Sequence, residues 1–529
     1  MAFPKNGSPP TSSIEWDGLE VVLSDNGSTA DDLDAAKLAE MGYAQGMKRK
    51  FSVWSVLGVG FSLTNSWFGI STALVTGINS GGPVLIVYGI MIIALVSTCV
   101  GISLSELASA LPNAGGQYFW ANELAPKGYG KLASYLTGWF AWAGSIFTSA
   151  SVSLGLGSAI VGCIQLMHPT LEIRPWMVVL AYEVVNAFAF IFNCYGRHLP
   201  RIATFTLWFS LLSFTTILIT VPSTAPTHQS PRFVFAHFEN NTGWDSNTIA
   251  FIVGLINTNW AFACLDCATH LAEEVQHPER TIPIAIMGTV AIGFATSWLY
   301  SISMFFSMSS LPLLFNTPTK VPILELFHQA LSSRRGAVAL ECAVIVTGLG
   351  CLIASHTWQS RLCWSFARDG GVPGSRWLAE IHPVLDGPFN AHVASCSIVA
   401  VLGLLYLGSH TAFNSMVTAC IVLLYVSYSI PVLCLLIRGR DSIRHGPFWA
   451  GRCGLVANWV LLAWTAFTLV MYSFPPVMPV DAGNMNYVCV VYVVVLGAVL
   501  GYWRVRGEKT YRNREGRYEE LAGNEEAIM

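Results

Sequence analysis

Asp266 lies in an otherwise apolar stretch and follows an unusual set of neighbours. Three polar side chains stand in a row, Asn257, Thr258 and Asn259, and then Trp260 and Phe262 are set among the small residues Ala261, Ala263 and Cys264. A carboxylate at the centre of a membrane helix costs roughly 2.5–3.5 kcal/mol on insertion scales, so one that persists there needs a reason. Asp266 can balance a cationic solute or carry a proton; capping a broken helix or joining an ion pair are the structural alternatives. Glu183 and Glu341 also fall in apolar runs. Glu183 fits charge balance, coupling or pairing with another helix, and Glu341, near the end of its run, fits hydration. Glu106, Arg361, Arg368 and Asp369 fall at helix ends, where ion pairing is a structural role. His270 and His356 are either proton relays or packing histidines. Cys264 and Cys267 form a CxxC without a second pair, which reads as small packing residues rather than a metal or redox site. No nucleophile–base set and no ligand cluster stands out, so the expectation is a protein that is not an enzyme and uses no cofactor or metal.

The backbone around these residues decides what they can do. The apolar run 249–256 loosens into the polar patch, and the stretch leaves through Glu273, Glu274, Glu279 and Arg280. Backbone that opens at membrane depth must line a cavity or be covered by protein, because lipid cannot satisfy its N–H and C=O groups. Residues 257–283 therefore read as a broken helix at a substrate site, with an intact helix of small packing residues as the alternative.

The whole chain has the composition this requires. Of 529 residues, 53% are hydrophobic and 11% charged, against about a quarter charged in an ordinary soluble domain. Apolar runs long enough to span recur at 51–77, 83–110, 132–167, 176–194, 202–221, 248–270, 283–308, 336–355, 390–407, 413–436, 455–474 and 486–503. This predicts an all-α polytopic membrane protein of about twelve transmembrane helices in contact with lipid, occupying residues 51–503. Residues 1–50 are polar and acidic and predict a disordered cytoplasmic tail ending in the basic run Lys48, Arg49 and Lys50; residues 504–529 form the other tail. The net charge of -3 says little about partners, and no basic block suggests nucleic acid. With the amino terminus inside, 23 of the 28 Lys and Arg residues fall on the inner side. The asymmetry predicts both termini in the cytoplasm, and the expected location is the plasma membrane. The sequon at Asn240 then faces outward and can be glycosylated, while those at Asn6 and Asn26 stay silent.

An internal echo marks the site from a second direction. Thr64-Asn65-Ser66-Trp67-Phe68 in the first segment parallels Thr258-Asn259-Trp260-Ala261-Phe262 in the sixth. Paired interruptions at corresponding positions of two repeats point to a transporter binding site.

The sequence also resembles a known family. Residues 106–112 (ELASALP) and 113–120 (NAGGQYFW), 270–274 (HLAEE), 278–283 (PERTIP) and 361–373 (RLCWSFARDGGVP) look like the amino acid–polyamine–organocation permeases over about residues 51–503. Within it, 63–71 (LTNSWFGIS), 264–270 (CLDCATH), 356–369, 445–449 (HGPFW) and 484–491 look most like the fungal choline and γ-aminobutyrate permease branch, its choline permeases above all. The resemblance implies a five-plus-five inverted repeat with helices 1 and 6 broken and helices 3, 8 and 10 closing a central site. It carries the unwound parts onto Thr64, Asn65 and Ser66 and onto Ala263, Cys264 and Leu265, an aromatic gate onto Trp260, and a polar contact onto Ser145. Relatives that bind α-amino acids carry a glycine-rich break in helix 1; the bulkier residues here argue against such a substrate. A quaternary ammonium cannot donate hydrogen bonds, so aromatic faces are its partners, and Trp67, Phe68, Phe147, Trp260, Phe262 and Tyr425 stand around the implied site. The expectation is a secondary transporter importing choline or a related amino alcohol, with a proton as a candidate co-substrate. A γ-aminobutyrate or other amino-acid permease, and a nutrient sensor with transporter architecture, are the alternatives.

Overall fold

The computed structural model describes residues 13–16, 19–22, 30–72 and 74–512. Ten of its helices are long and apolar enough to cross a membrane. Two further crossings are built from pieces. Span 1 runs through Val53–Thr64 and Ser66–Thr72 and continues into the helix Leu74–Ala110, which is interrupted at Gly81 and Gly82. Gly82 has φ +64, a conformation that favours glycine, and this turn hands the chain to span 2 at residues 83–110. Span 6 comprises Asn247–Trp260 and, after a non-helical stretch, the short 3-10 turn Thr269–Glu274. Spans 3, 4 and 5 are Gly130–Met167, Pro175–Cys194 and Leu199–Thr224. Spans 7 to 9 are Pro278–Ser307, Arg334–Arg368 and Phe389–Gly408. Spans 10 to 12 are His410–Arg438, Arg452–Met471 and Val488–Tyr502.

The broken spans sit at the centre. Both halves of span 1 pack on span 7, and span 3 packs on spans 8 and 10. Lipid gives no hydrophobic drive between helices, so close approach relies on small residues. A Cβ on Gly69 of span 1 would meet Ala261 Cα of span 6 at 2.8 Å, so glycine is what lets the two breaks lie side by side. Large apolar side chains on outer faces, such as Leu95, Leu212, Val401, Ile437 and Val493, remain exposed, as lipid-facing residues should.

Two boundaries differ from the hydropathy pattern. Span 8 continues to Arg368 rather than ending near 355. Its extension carries His356, Gln359, Ser360, Arg361 and Ser365, all buried against protein rather than lipid, so an apolar window misses it. The amino-terminal tail is not structureless throughout. Ser13–Trp16 pairs antiparallel with Leu19–Val22, and Ala30–Glu40 is helical. Asp34 ties this helix to the rest, accepting from the backbone N–H of His277 at 2.9 Å, while the Phe51 N–H donates to the carbonyl of Glu274. At the other end, the Arg512 N–H donates to the carbonyl of Asp369. Both terminal segments thus dock on one face. The sequon residue Asn240 lies on the other, where the Asn241 N–H donates to the carbonyl of Asn79. The sequons at Asn6 and Asn26 lie outside the described residues.

Candidate functional site

The two breaks satisfy each other. Asn65 takes φ +22 between the halves of span 1, and Cys264 takes φ +66 after the end of the span 6 helix, both rare conformations for residues with a side chain. Helical carbonyls freed this way must find donors. Thr64 Oγ1 donates to the carbonyl of Ala263 at 3.1 Å, and the Cys351 thiol of span 8 donates to the carbonyl of Leu63 at 3.1 Å. Between the breaks is a pocket of about 10 Å³ lined by Leu63, Thr64, Phe68, Thr148, Val152, Trp260, Ala263, Cys264 and Cys351. No lining residue is charged.

Above it, toward the face opposite the termini, opens a cavity of about 570 Å³. Phe68, Val152 and Trp260 line both spaces. Glu341 of span 8 lines the upper cavity with Thr72, Asn257 and Tyr472. Glu341 is not hydrated at a helix end as expected: it is 1% exposed, and Oε2 has no hydrogen-bond partner.

Below the pocket, Asp266 is fully buried. Tyr428 of span 10 donates to its Oδ1 at 2.5 Å, and Gln117 Nε2 donates to Oδ2 at 2.6 Å. His270 Nδ1 lies 2.7 Å from the carbonyl of Ala114, and its Nε2 lies 3.2 Å from Asp266 Oδ2. A carbonyl only accepts, so Nδ1 carries a hydrogen. An ionised carboxylate only accepts as well. These contacts tie Asp266 to span 10, to the loop after span 2 and to His270.

Further toward the terminal face, charged pairs close the structure. Arg361 Nε donates to Glu274 at 2.9 Å, Lys50 lies 3.3 Å from the same carboxylate, and Arg368 meets Glu273 at 2.7 Å. The Arg368 guanidinium also lies 4.2 Å over the ring of Tyr43, whose hydroxyl donates to Asp369 at 2.8 Å. Glu106 pairs with Arg440 at 2.8 Å. The molecule is open to one face and sealed on the other.

Of the residues expected at the site, Thr64, Phe68, Trp260, Ala263 and Cys264 come together around the pocket. Others turn away. Asn65 Nδ2 and Trp67 Nε1 both donate to Ser210 Oγ of span 5 at 3.0 Å, which anchors span 1. Ser66 faces Gly293 of span 7, and Phe262 packs near the same glycine. Ser145 donates to the carbonyl of Trp142 in its own helix, and Phe147 packs toward Ala419, Leu423 and Val488. Tyr425 donates to Asn259 Oδ1 at 2.8 Å, holding the polar patch of span 6. Glu183 lines neither space, and its Oε1 is buried without a partner. Sequence reasoning missed Leu63, Thr148, Val152 and Cys351. Thr148 and Val152 lie on the same helix as Ser145, one and two turns further along, so only the rotation of span 3 was lacking.

Residues 51–495 match the family described as amino acid permease. The chain belongs to this family. It is 52% identical over 488 residues to the choline transporter of Saccharomyces cerevisiae, covering 92% of this chain and 86% of that one. It is 36% identical to the 7-keto 8-aminopelargonic acid transporter of the same yeast, covering 84% and 90%. It is 35% identical to the swainsonine transporter of Arthroderma benhamiae, covering 88% and 92%. In this permease the loop after span 2 has a physical role. Gly116, at φ +54, has Thr269 Oγ1 2.9 Å from where a Cβ would stand, so the loop lies against the lower half of span 6. From there Gln117 and Ala114 reach Asp266 and His270.

Proposed function

We propose that this permease carries choline or a closely related amino alcohol across the plasma membrane by alternating access, entering from the open cavity. The observation that carries this is that two aromatic residues, Phe68 and Trp260, line both a wide cavity and the uncharged pocket beside it. A quaternary ammonium offers no hydrogen to donate, and aromatic faces bind it for about 2 kcal/mol or more each when desolvated. Thr64 and Thr148 supply hydroxyls for the alcohol. Glu341 adds a carboxyl group on the cavity wall, which Lys320 also lines. The identity to the yeast choline transporter supports the same reading.

The lower pocket has room for about one water, so a solute in the cavity descends only when the side chains lining the pocket move. The sealing pairs of Glu273 and Glu274 break when the opposite face opens. The Asp266–His270 pair supplies the coupling proton. It sits between the pocket and the seal, with Tyr428, Cys264 and Cys267 as the other titratable groups bearing on Asp266.

The test is competition against labelled choline by its neutral isostere, in which a tert-butyl group replaces the trimethylammonium. Choline should compete and the isostere should not. Equal competition would mean that the rings read shape and not charge.

A further inference from the structure

His356 of span 8 and His392 and Cys396 of span 9 form a group that transport does not use. All three are buried, and one ligand atom from each lies within 4.8 Å of the others. Cys396 Sγ is 3.4 Å from His356 Nδ1 and 3.4 Å from His392 Nδ1. Metal–nitrogen bonds of about 2.0 Å and metal–sulfur bonds of about 2.3 Å place such atoms ~3.5–3.7 Å apart around one ion. One of the two rings is also held from behind. His392 Nε2 lies 3.1 Å from the carbonyl of Phe190 on span 4, which fixes the hydrogen there and leaves Nδ1 as a lone pair aimed at the sulfur. His356 Nε2 is buried without a partner, so its ring gains no orientation from that side.

We propose that these residues bind a monovalent soft metal ion, copper(I), joining spans 8 and 9. Ligand type and charge select it. Two imidazoles and a thiolate suit copper(I) or zinc. Among the described residues the cluster contains no carboxylate, and the positive charge of Arg361 bears on His392. Copper(I) with one thiolate is neutral, whereas zinc would leave a net positive charge in a dry interior, where unpaired charge is costly. Binding displaces the thiol proton of Cys396 and forms the copper–sulfur bond, with no change of oxidation state.

The experiment uses the full-length protein purified in detergent. Wild type, Cys396→Ser and His392→Gln are each loaded with copper(I) under reducing conditions or with zinc, then washed with a chelator. Metal is counted by mass spectrometry on monodisperse protein. Wild type should retain about one copper, and each variant should lose it to the chelator. X-ray absorption at the copper edge should show one sulfur and two nitrogen neighbours. Absence of copper from folded wild type, equal retention in the variants, or zinc held in preference to copper would overturn the proposal. If neither variant folds, the copper edge of the wild type decides alone: a sulfur-only shell would place the ion elsewhere.

Discussion

Trp260 separates the open cavity from the pocket beneath it, and its ring is held close to Gly69 across the two breaks. If that ring reads a quaternary ammonium, Trp260→Phe keeps a weaker face and Trp260→Leu keeps none. Choline KM, normalised to protein at the surface, should rise from wild type through Phe to Leu, with about tenfold between Phe and Leu for ~1.4 kcal/mol. Equal KM in all three would remove Trp260 from recognition. Glu341→Gln should also raise choline KM at equal surface expression, and an unchanged KM would remove Glu341 from recognition. Asp266→Asn should retain surface expression and lose the pH dependence of uptake, because the carboxylate beside His270 is gone; preserved pH dependence would assign the coupling elsewhere. At this scale the sequence revealed residue type but not direction. Trp67 and Phe68 are adjacent and aromatic, yet one is tied to Ser210 and the other faces the pocket. Nothing in the local pattern tells which way each helix half turns once the backbone opens at Asn65.

The two broken spans and the seal below them form the working element. Glu274 is shared between Arg361 and Lys50, and all three lie at the closed end. Removing one partner of a buried pair costs about 3–5 kcal/mol, since the others are left uncompensated. Glu274→Gln should therefore favour opening toward the terminal face. A cysteine placed at Gln359 or Ser360 should then react faster with a thiol reagent added from that side, and an unchanged rate would show that the seal does not depend on this pair. The breaks themselves were legible, because polar patches interrupt apolar runs at matching places. The lower end of span 8 was not. Its polar side chains are paid for by protein neighbours, and hydropathy sees only lipid.

Across the whole molecule, both terminal segments pack on one face, and Asn240 lies on the other. We expect tags at either terminus to be protected from protease in intact cells, and Asn240 to carry any glycan; a terminal tag cut from outside would reverse the assigned direction of the cavity. The span count and the basic bias were readable because both arise from the bilayer as solvent. The docking of residues 30–50 was not, since it depends on Glu273, Glu274 and Glu279 being assembled by distant helices. The central claim is that the open cavity admits choline. The most direct measurement is uptake of labelled choline, ethanolamine and γ-aminobutyrate by cells that lack their own transport of each and express this chain at the surface. The account predicts saturable choline uptake that excess γ-aminobutyrate does not reduce. γ-Aminobutyrate uptake without choline uptake, with the protein shown to be at the surface, would contradict it.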